Sequence, residues 1–175
     1  MNKLESILTS DNIEESIREN EEYIFSIIPE LKYEVGFSQN HPHHCYDVWN
    51  HTIEAMKYIE ADAELRLIVL LHDIGKPFCY QDGEDGVRHF HGHPLKSREI
   101  SEHILDRLHV KNKDEILYII ENHDTPIDIN NIKNKSIEIK RLKVQYADAY
   151  AHAPSTIKKR ILRLNSIKEL IWFVI

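Results

Sequence analysis

The chemically most loaded residues are an adjacent pair, His72-Asp73, which closes the apolar run ending Leu70-Leu71 and precedes Ile74-Gly75-Lys76-Pro77. An imidazole and a carboxylate buried together beside an apolar helix are costly unless they pair or hold an ion. A neutral imidazole nitrogen with a carboxylate oxygen suits Fe, Mn, Co, Zn or Mg rather than a thiolate-preferring metal. A capping Asp beside a core His accounts for one such pair alone, but the chain offers more. His51 shares a helix face with Ala55 and Met56 that can meet the His72 helix across a short connection, and His123 continues the stripe Ile116, Ile119, Ile120. Asp148 sits among Ala147, Ala149 and Ala151, small residues that let neighbours approach its carboxylate, and His93 ends Phe90-His-Gly-His93, where Gly92 permits close backbone approach. Four helices and a loop each supply an inward His or Asp, which is how dinuclear sites are built inside helical bundles.

The elements that must position these residues are punctuated by glycine and proline. Ile13, Ile17, Ile24 and Ile28 recur at helical spacing from the N-cap candidate Asn12 until Pro29. A second helix begins at Asp47 with Val48, Thr52, Ala55 and Ile59 on one face, and a third spans residues 63–73 before Gly75 and Pro77. Residues 78–90 read as a loop or short hairpin. Pro94 starts a fourth helix with Ile100, Ile104 and Leu108 inward, and Asp114 opens a fifth that runs towards Pro126. A sixth covers about residues 136–153 with Ile139, Leu142, Tyr146 and Ala149 inward. The last follows the N-cap candidate Ser155 with Ile157, Ile161, Leu164 and Ile171. The expected fold is an all-α bundle of about seven helices with one irregular excursion, in a single domain of 175 residues.

Composition narrows the function classes. The chain has 12 His against 2 Cys, 42% hydrophobic and 29% charged residues, which excludes disorder and describes a soluble globular protein. Its longest apolar runs, residues 67–71 and 170–175, fall far short of a bilayer span, so no membrane partner is expected; the second run is expected to dock on the core or on another subunit. The N-terminus lacks the pattern of a secretory signal, and Cys45 and Cys79 form no disulfide framework, so a reducing cytoplasm is the expected compartment. The net charge of -7 argues against a general nucleic-acid binder, yet residues 131–168 hold ten bases and only Glu138 and Asp148 as acids. Such a basic third suits either two solvated helix faces or a phosphate-bearing ligand.

The ordered set His51, His72-Asp73, His93, His123 and Asp148 resembles the HD-domain superfamily of metal-dependent phosphohydrolases, in the branch that binds two metals. Four segments, Tyr46-Asp-Val-Trp-Asn-His51-Thr, His72-Asp-Ile-Gly-Lys-Pro77, Phe90-His-Gly-His93 and Ala147-Asp-Ala-Tyr-Ala-His-Ala-Pro154, are similar to the HD domain appended to bacterial tRNA nucleotidyltransferases. The likeness covers about residues 39–154. No Gly-Ser followed by paired aspartates marks a nucleotidyltransferase head, so a free-standing HD domain is expected.

The resemblance implies that His51, His72, Asp73 and Asp148 hold one divalent ion and that Asp73 bridges to a second held by His93 and His123, the metals being Fe, Mn, Co, Ni, Mg or Zn. Asp124 stands where some two-metal relatives carry a histidine; ligation, support of His123 and exposure to solvent are all open for it. The implied reaction is phosphoester hydrolysis by a metal-activated water on a nucleotide, a cyclic phosphate or an RNA end. Besides Asp73, Lys76 is a catalytic candidate for stabilising negative charge, and His44, His89, His91 and Arg141 are candidates for contacting substrate. Two other readings stand beside it: a di-iron oxygenase similar to inositol oxygenase, and a catalytically silent nucleotide-binding HD module. His41, His43, His103, His109 and His152 have no assigned role and are expected at the surface. The oligomeric state is not legible.

Overall fold

The computed structural model describes residues 2–172, in which nine α-helices, two short 3-10 turns and one two-stranded hairpin succeed one another. The all-α expectation holds, with two more helices than the periodicity suggests. Neither addition carries a helix signal of its own. Helix α1 (Lys3–Leu8) is six residues long, capped by Asn2, whose side chain accepts from Glu5 N at 2.8 Å, and it buries Leu4, Ile7 and Leu8. The isoleucine stripe expected to form one helix is split into α2 (Ile13–Glu19) and α3 (Glu21–Ile27), because Asn20 leaves the helical region at φ -116° while its side chain donates to Ser16 O at 2.9 Å. All four stripe residues are nonetheless buried. Asn12 occupies the N-cap position of α2 but turns its side chain to Glu15 instead of the backbone.

A 3-10 turn, Pro29–Glu34, leads towards α4 (Val48–Met56), whose start is fixed by Asp47 accepting from Asn50 N at 2.7 Å. Helix α5 (Ala63–Leu71) is capped in the same way by Asp62 on Leu65 N. It carries seven buried residues, including Ile68, Leu70 and Leu71, and lies against α4 as well as against the later helices of residues Lys113–Glu121 and Lys135–Tyr150. After α5 the chain turns through His72–Gly75 into a 3-10 turn, Lys76–Phe78, and then makes the hairpin of β1 (Gln81–Asp82) and β2 (Arg88–His89), paired antiparallel with Gln81 opposite His89. Helix α6 (His93–Arg107) starts from Gly92 at φ 79°, a conformation that glycine adopts without penalty. Helix α7 (Lys113–Glu121), α8 (Lys135–Tyr150) and α9 (Pro154–Ile171) complete the chain.

The main core joins Trp49, Ile53 and Met56 of α4, the inner side of α5, Ile116, Ile119 and Ile120 of α7, and Val144 and Ala147 of α8. A smaller cluster of Ile127, Leu142, Ala149, Leu164 and Ile171 lies between α8 and α9, with Ile139 and Tyr146 packed against it. Helix α8 is therefore buried on two sides. The stripe legible in its sequence faces α9, and the opposite stripe carries Asp148 towards the main core. Ser155 does not cap α9: Ala153 holds the N-cap position. Of the apolar C-terminal run, Ile171 is buried, Leu170 and Trp172 stay exposed, and residues 173–175 lie outside the described part. No described helix is long and apolar enough to cross a membrane.

One glycine decides how closely the His72 turn can approach α6. A Cβ on Gly75 would lie 2.5 Å from Ser97 N and 2.7 Å from His93 O, distances no side chain tolerates. The Ser97 hydroxyl accepts from Gly75 N at 2.9 Å and locks the contact.

Candidate metal centre

The inner ends of α4, α5, α6, α7 and α8 bring His51, His72, Asp73, His93, His123 and Asp148 together, all of them buried. Each histidine is oriented by the same device. His72 Nδ1 lies 2.6 Å from Val69 O, His93 Nδ1 2.9 Å from Phe90 O, His123 Nδ1 2.6 Å from Ile120 O and His51 Nδ1 3.2 Å from Ala151 O. A carbonyl oxygen only accepts, so each Nδ1–H donates and each ring turns its Nε2 towards the centre. Three of the four partners are the carbonyl three residues earlier, which makes the orientation a product of the local helix end. Histidines that ligate metals are held in this manner.

The Nε2 atoms converge on carboxylates. His51 Nε2 lies 3.0 Å from Asp148 Oδ1 and 3.5 Å from Asp73 Oδ2, and His72 Nε2 is 3.2 Å from the same Asp73 oxygen. The other oxygen of Asp73, Oδ1, is 3.2 Å from His93 Nε2 and 3.7 Å from His123 Nε2. The donor atoms of His51, His72, Asp73 and Asp148 form one compact group, those of Asp73, His93 and His123 a second, each within 4.8 Å. Asp73 belongs to both.

Two features fit this arrangement to cations. His93 Nε2 and His123 Nε2 face each other at 3.3 Å although both Nδ1 protons are committed to carbonyls, so two lone pairs repel unless a proton or a metal stands between them. His72 Nε2 and Asp73 Oδ1 are buried with no hydrogen-bond partner, as expected of donors kept for an ion. The all-nitrogen-and-oxygen set suits first-row divalent metals.

The local field is strong. Burial alone would raise the Asp73 carboxyl, but His72 and Lys76 beside it hold it well below the usual carboxylate range. Burial likewise opposes ionisation of Asp148, and His152 and His51 reverse it. Burial pushes His72 towards neutrality, and the charge of Asp73 overrides it and raises its proton affinity well above normal. Protons would thus compete with a divalent ion for the same nitrogens.

The centre opens into a cavity of about 330 Å³ whose walls include Lys76, His44, His89 and His91, all named from the sequence. Lys76 is itself buried, with Nζ 2.6 Å from Asp73 Oδ2 and 2.8 Å from Gln39 Oε1. Asp124 sits at the edge, its side chain 44% exposed and Oδ2 3.5 Å from His93 Nε2.

Arg141 is not part of this wall. It precedes Asp148 by two helical turns, about 10 Å along α8, and is buried with Nε 3.2 Å from Glu138 Oε2, Nη1 donating to Tyr118 Oη and Nη2 to Thr125 O. The guanidinium at the cavity is Arg160 of α9, whose Nη1 donates to Asp148 Oδ2 at 3.1 Å. His152 is corrected too: it is buried, its Nδ1 donates to Asp148 O at 2.7 Å, and burial lowers its pKa to about 4. His41 and His43 also line the cavity, whereas His103 and His109 are exposed as expected. Sequence reasoning missed Glu34, buried beneath the site with neither carboxylate oxygen hydrogen-bonded. The 148/152 spacing, one turn of a helix, was a readable signal for His152; nothing local marks Glu34.

Comparison with known proteins agrees with the geometry. Over 93 residues, 50% of this chain, the sequence is 39% identical to the A-adding tRNA nucleotidyltransferase of Deinococcus radiodurans, of which the match covers 21%. Over 80 residues, 42% of this chain, it is 39% identical to the CC-adding tRNA nucleotidyltransferase of Thermus thermophilus, of which the match covers 18%. The chain thus matches about a fifth of the length of these relatives. The HD domain profile matches residues 43–162, a span that includes every donor of the two groups and Arg160. The chain belongs to the HD domain family.

Proposed function

We propose that this chain hydrolyses phosphoesters of nucleotides, cyclic phosphates or RNA ends with two divalent ions, one held by His51, His72, Asp73 and Asp148 and one by Asp73, His93 and His123. The observation that carries the reading is Asp73 shared between two groups of buried donors at the floor of an imidazole-lined cavity. Ions bound there supply Lewis acidity to a phosphoryl oxygen and bring the pKa of water near neutrality.

The chain's own residues do the rest. Four Nδ1–carbonyl bonds hold the imidazole lone pairs in place, so no reorganisation is needed when a ligand arrives. Lys76 donates to Asp73 and Gln39, and its role is to fix and neutralise the shared carboxylate. His44, kept neutral by burial and by Lys76, stands in the cavity wall as a contact for substrate. His89 and His91, stacked with ring centroids 5.6 Å apart at the mouth, are placed to give a proton to the leaving oxygen.

The test is hydrolysis of bis-p-nitrophenyl phosphate with Mn, Ni, Co or Fe added in turn. Metal-dependent turnover that Asp73→Ala abolishes is the expected result. No turnover across a broad phosphoester panel, or iron-specific oxygen consumption in its place, overturns the proposal.

A further inference from the structure

Beyond the main cavity, on the far side of the Asp148–Arg160 pair, lies a second one of about 160 Å³. The two share His123, Asp124, Asp148 and Arg160, so occupants of the two would be neighbours across a single side-chain pair. The second cavity has no imidazole besides His123. Ala149, Leu164, Ile167 and Pro126 give it an apolar floor, and Arg163 joins Arg160 at its rim.

Arg160 and Arg163 are three residues apart on α9 and hence on one helix face, about 4.5 Å apart along the axis. Arg160 has Asp148 as its partner; Arg163 is exposed and has no hydrogen-bond or ion-pair partner among the described residues. The basic side chains Lys140, Arg141 and Lys143 of α8 are already neutralised by acids, Lys140 by Glu64 and Glu115, Arg141 by Glu138 and Lys143 by Glu60. A free guanidinium over an apolar floor, one step from a phosphoester-cleaving centre, has the fork geometry for a phosphate and a surface for sugar or base carbons.

We infer that the second cavity is a subsite for a second phosphate, one ribose away from the phosphoester that reacts, with Arg163 as the specificity-determining residue. The favoured substrates then carry two phosphates on neighbouring positions, as in a nucleoside 3′,5′-bisphosphate or at the end of an oligonucleotide. This rests on the proposed hydrolysis for the reacting phosphate, but the subsite itself is a binding property of α8 and α9.

The experiment compares adenosine 3′-monophosphate, adenosine 3′,5′-bisphosphate and the dinucleotide ApAp, each by phosphate release from the metal-loaded protein and by calorimetric titration of the chelator-treated protein. Two-phosphate ligands are expected to exceed the monophosphate by about tenfold in kcat/KM and in affinity, a ratio that Arg163→Gln brings close to one and Lys159→Gln, an equal charge change off the cavity wall, leaves intact. A preference for the bisphosphate alone identifies a small nucleotide as the ligand, and one that extends to ApAp identifies an RNA end. Equal ratios in wild type and Arg163→Gln overturn the subsite. If no phosphoester turns over while the titration ratio still depends on Arg163, the hydrolytic reading falls and the subsite stands.

Discussion

Lys76 Nζ donates to Asp73 Oδ2 at 2.6 Å with the two side chains only 5% and 1% exposed, so the carboxylate shared by both donor groups already holds a cation of the protein's own. That oxygen also faces His51 and His72, leaving Oδ1 to His93 and His123. The arrangement makes Asp73 the electrostatic hub of the fold's interior as well as of its chemistry.

The pair should be strongly coupled. In chelator-treated protein, Lys76→Met and Asp73→Asn are each expected to cost about 3–5 kcal/mol, because each leaves its partner's charge buried and uncompensated. The double variant should cost clearly less than the sum. Urea denaturation of the four proteins measures the coupling, and additivity to within about 0.5 kcal/mol would remove the argument.

Metal stoichiometry should follow the sharing of Asp73. Elemental analysis after gel filtration is expected to find about two ions per wild-type chain, about one in His123→Ala and none in Asp73→Ala. At an ion concentration 100 times the Kd of each site the wild type should melt about 11–22 °C higher than after chelation, since each of the two sites contributes about 2.7 kcal/mol. Equal metal content in the three proteins would contradict the assignment.

Glu34 gives the stability a pH dependence of opposite sign to that of an ordinary paired carboxylate. Burial, reinforced by the charge of Asp73, raises its pKa well above normal. Between the unfolded value, about 4.3, and the raised folded one, the folded state keeps a proton that the unfolded state has lost. Stability therefore falls as pH rises through that window, by up to about 1.4 kcal/mol per pH unit. Glu34→Gln, which has no proton to lose, should gain on the wild type as pH rises above the unfolded value in denaturation of chelated protein. A difference independent of pH would show that Glu34 ionises normally.

The two free thiols should differ in reactivity. Cys45 is exposed, whereas the Cys79 thiol donates to Gly75 O at 3.2 Å and is raised in pKa by burial and by Asp73. Only the thiolate attacks an alkylating agent. Iodoacetamide at pH 8 is expected to label Cys45 about tenfold faster or more, read by peptide mass spectrometry. Equal rates would place Cys79 in the open.

Where apolar spacing and a capping side chain agree, the fold was readable: Asp47 and Asp62 start α4 and α5 where periodicity places them, and Gly92-His-Pro94 opens α6. The break at Asn20 was hidden because neither glycine nor proline marks it and the stripe continues in phase across it. Helix α1 is too short for periodicity to show. In the site, the inward faces of His51, His72, His123 and Asp148 followed from local patterns, since each stands on a helix or at its end. Arg141 was named from the sequence and Arg160 was not, for a reason local patterns cannot remove: which of two basic helix faces meets the cavity depends on how α9 lies across α8. His41 and His43 reach the cavity through a loop whose course no periodicity encodes.

The side chains of His51 and Asp148 meet although 97 positions separate them along the chain. Loop closure over that length must precede any reward from such a contact. While the chain is being made, the turn carrying His72 and Asp73 leaves the ribosome well before α8, and the first donor group is incomplete until α8 docks. An ion captured by that group would therefore act as a timer for folding: it would report when the two ends of the core have closed, not when the helices have formed.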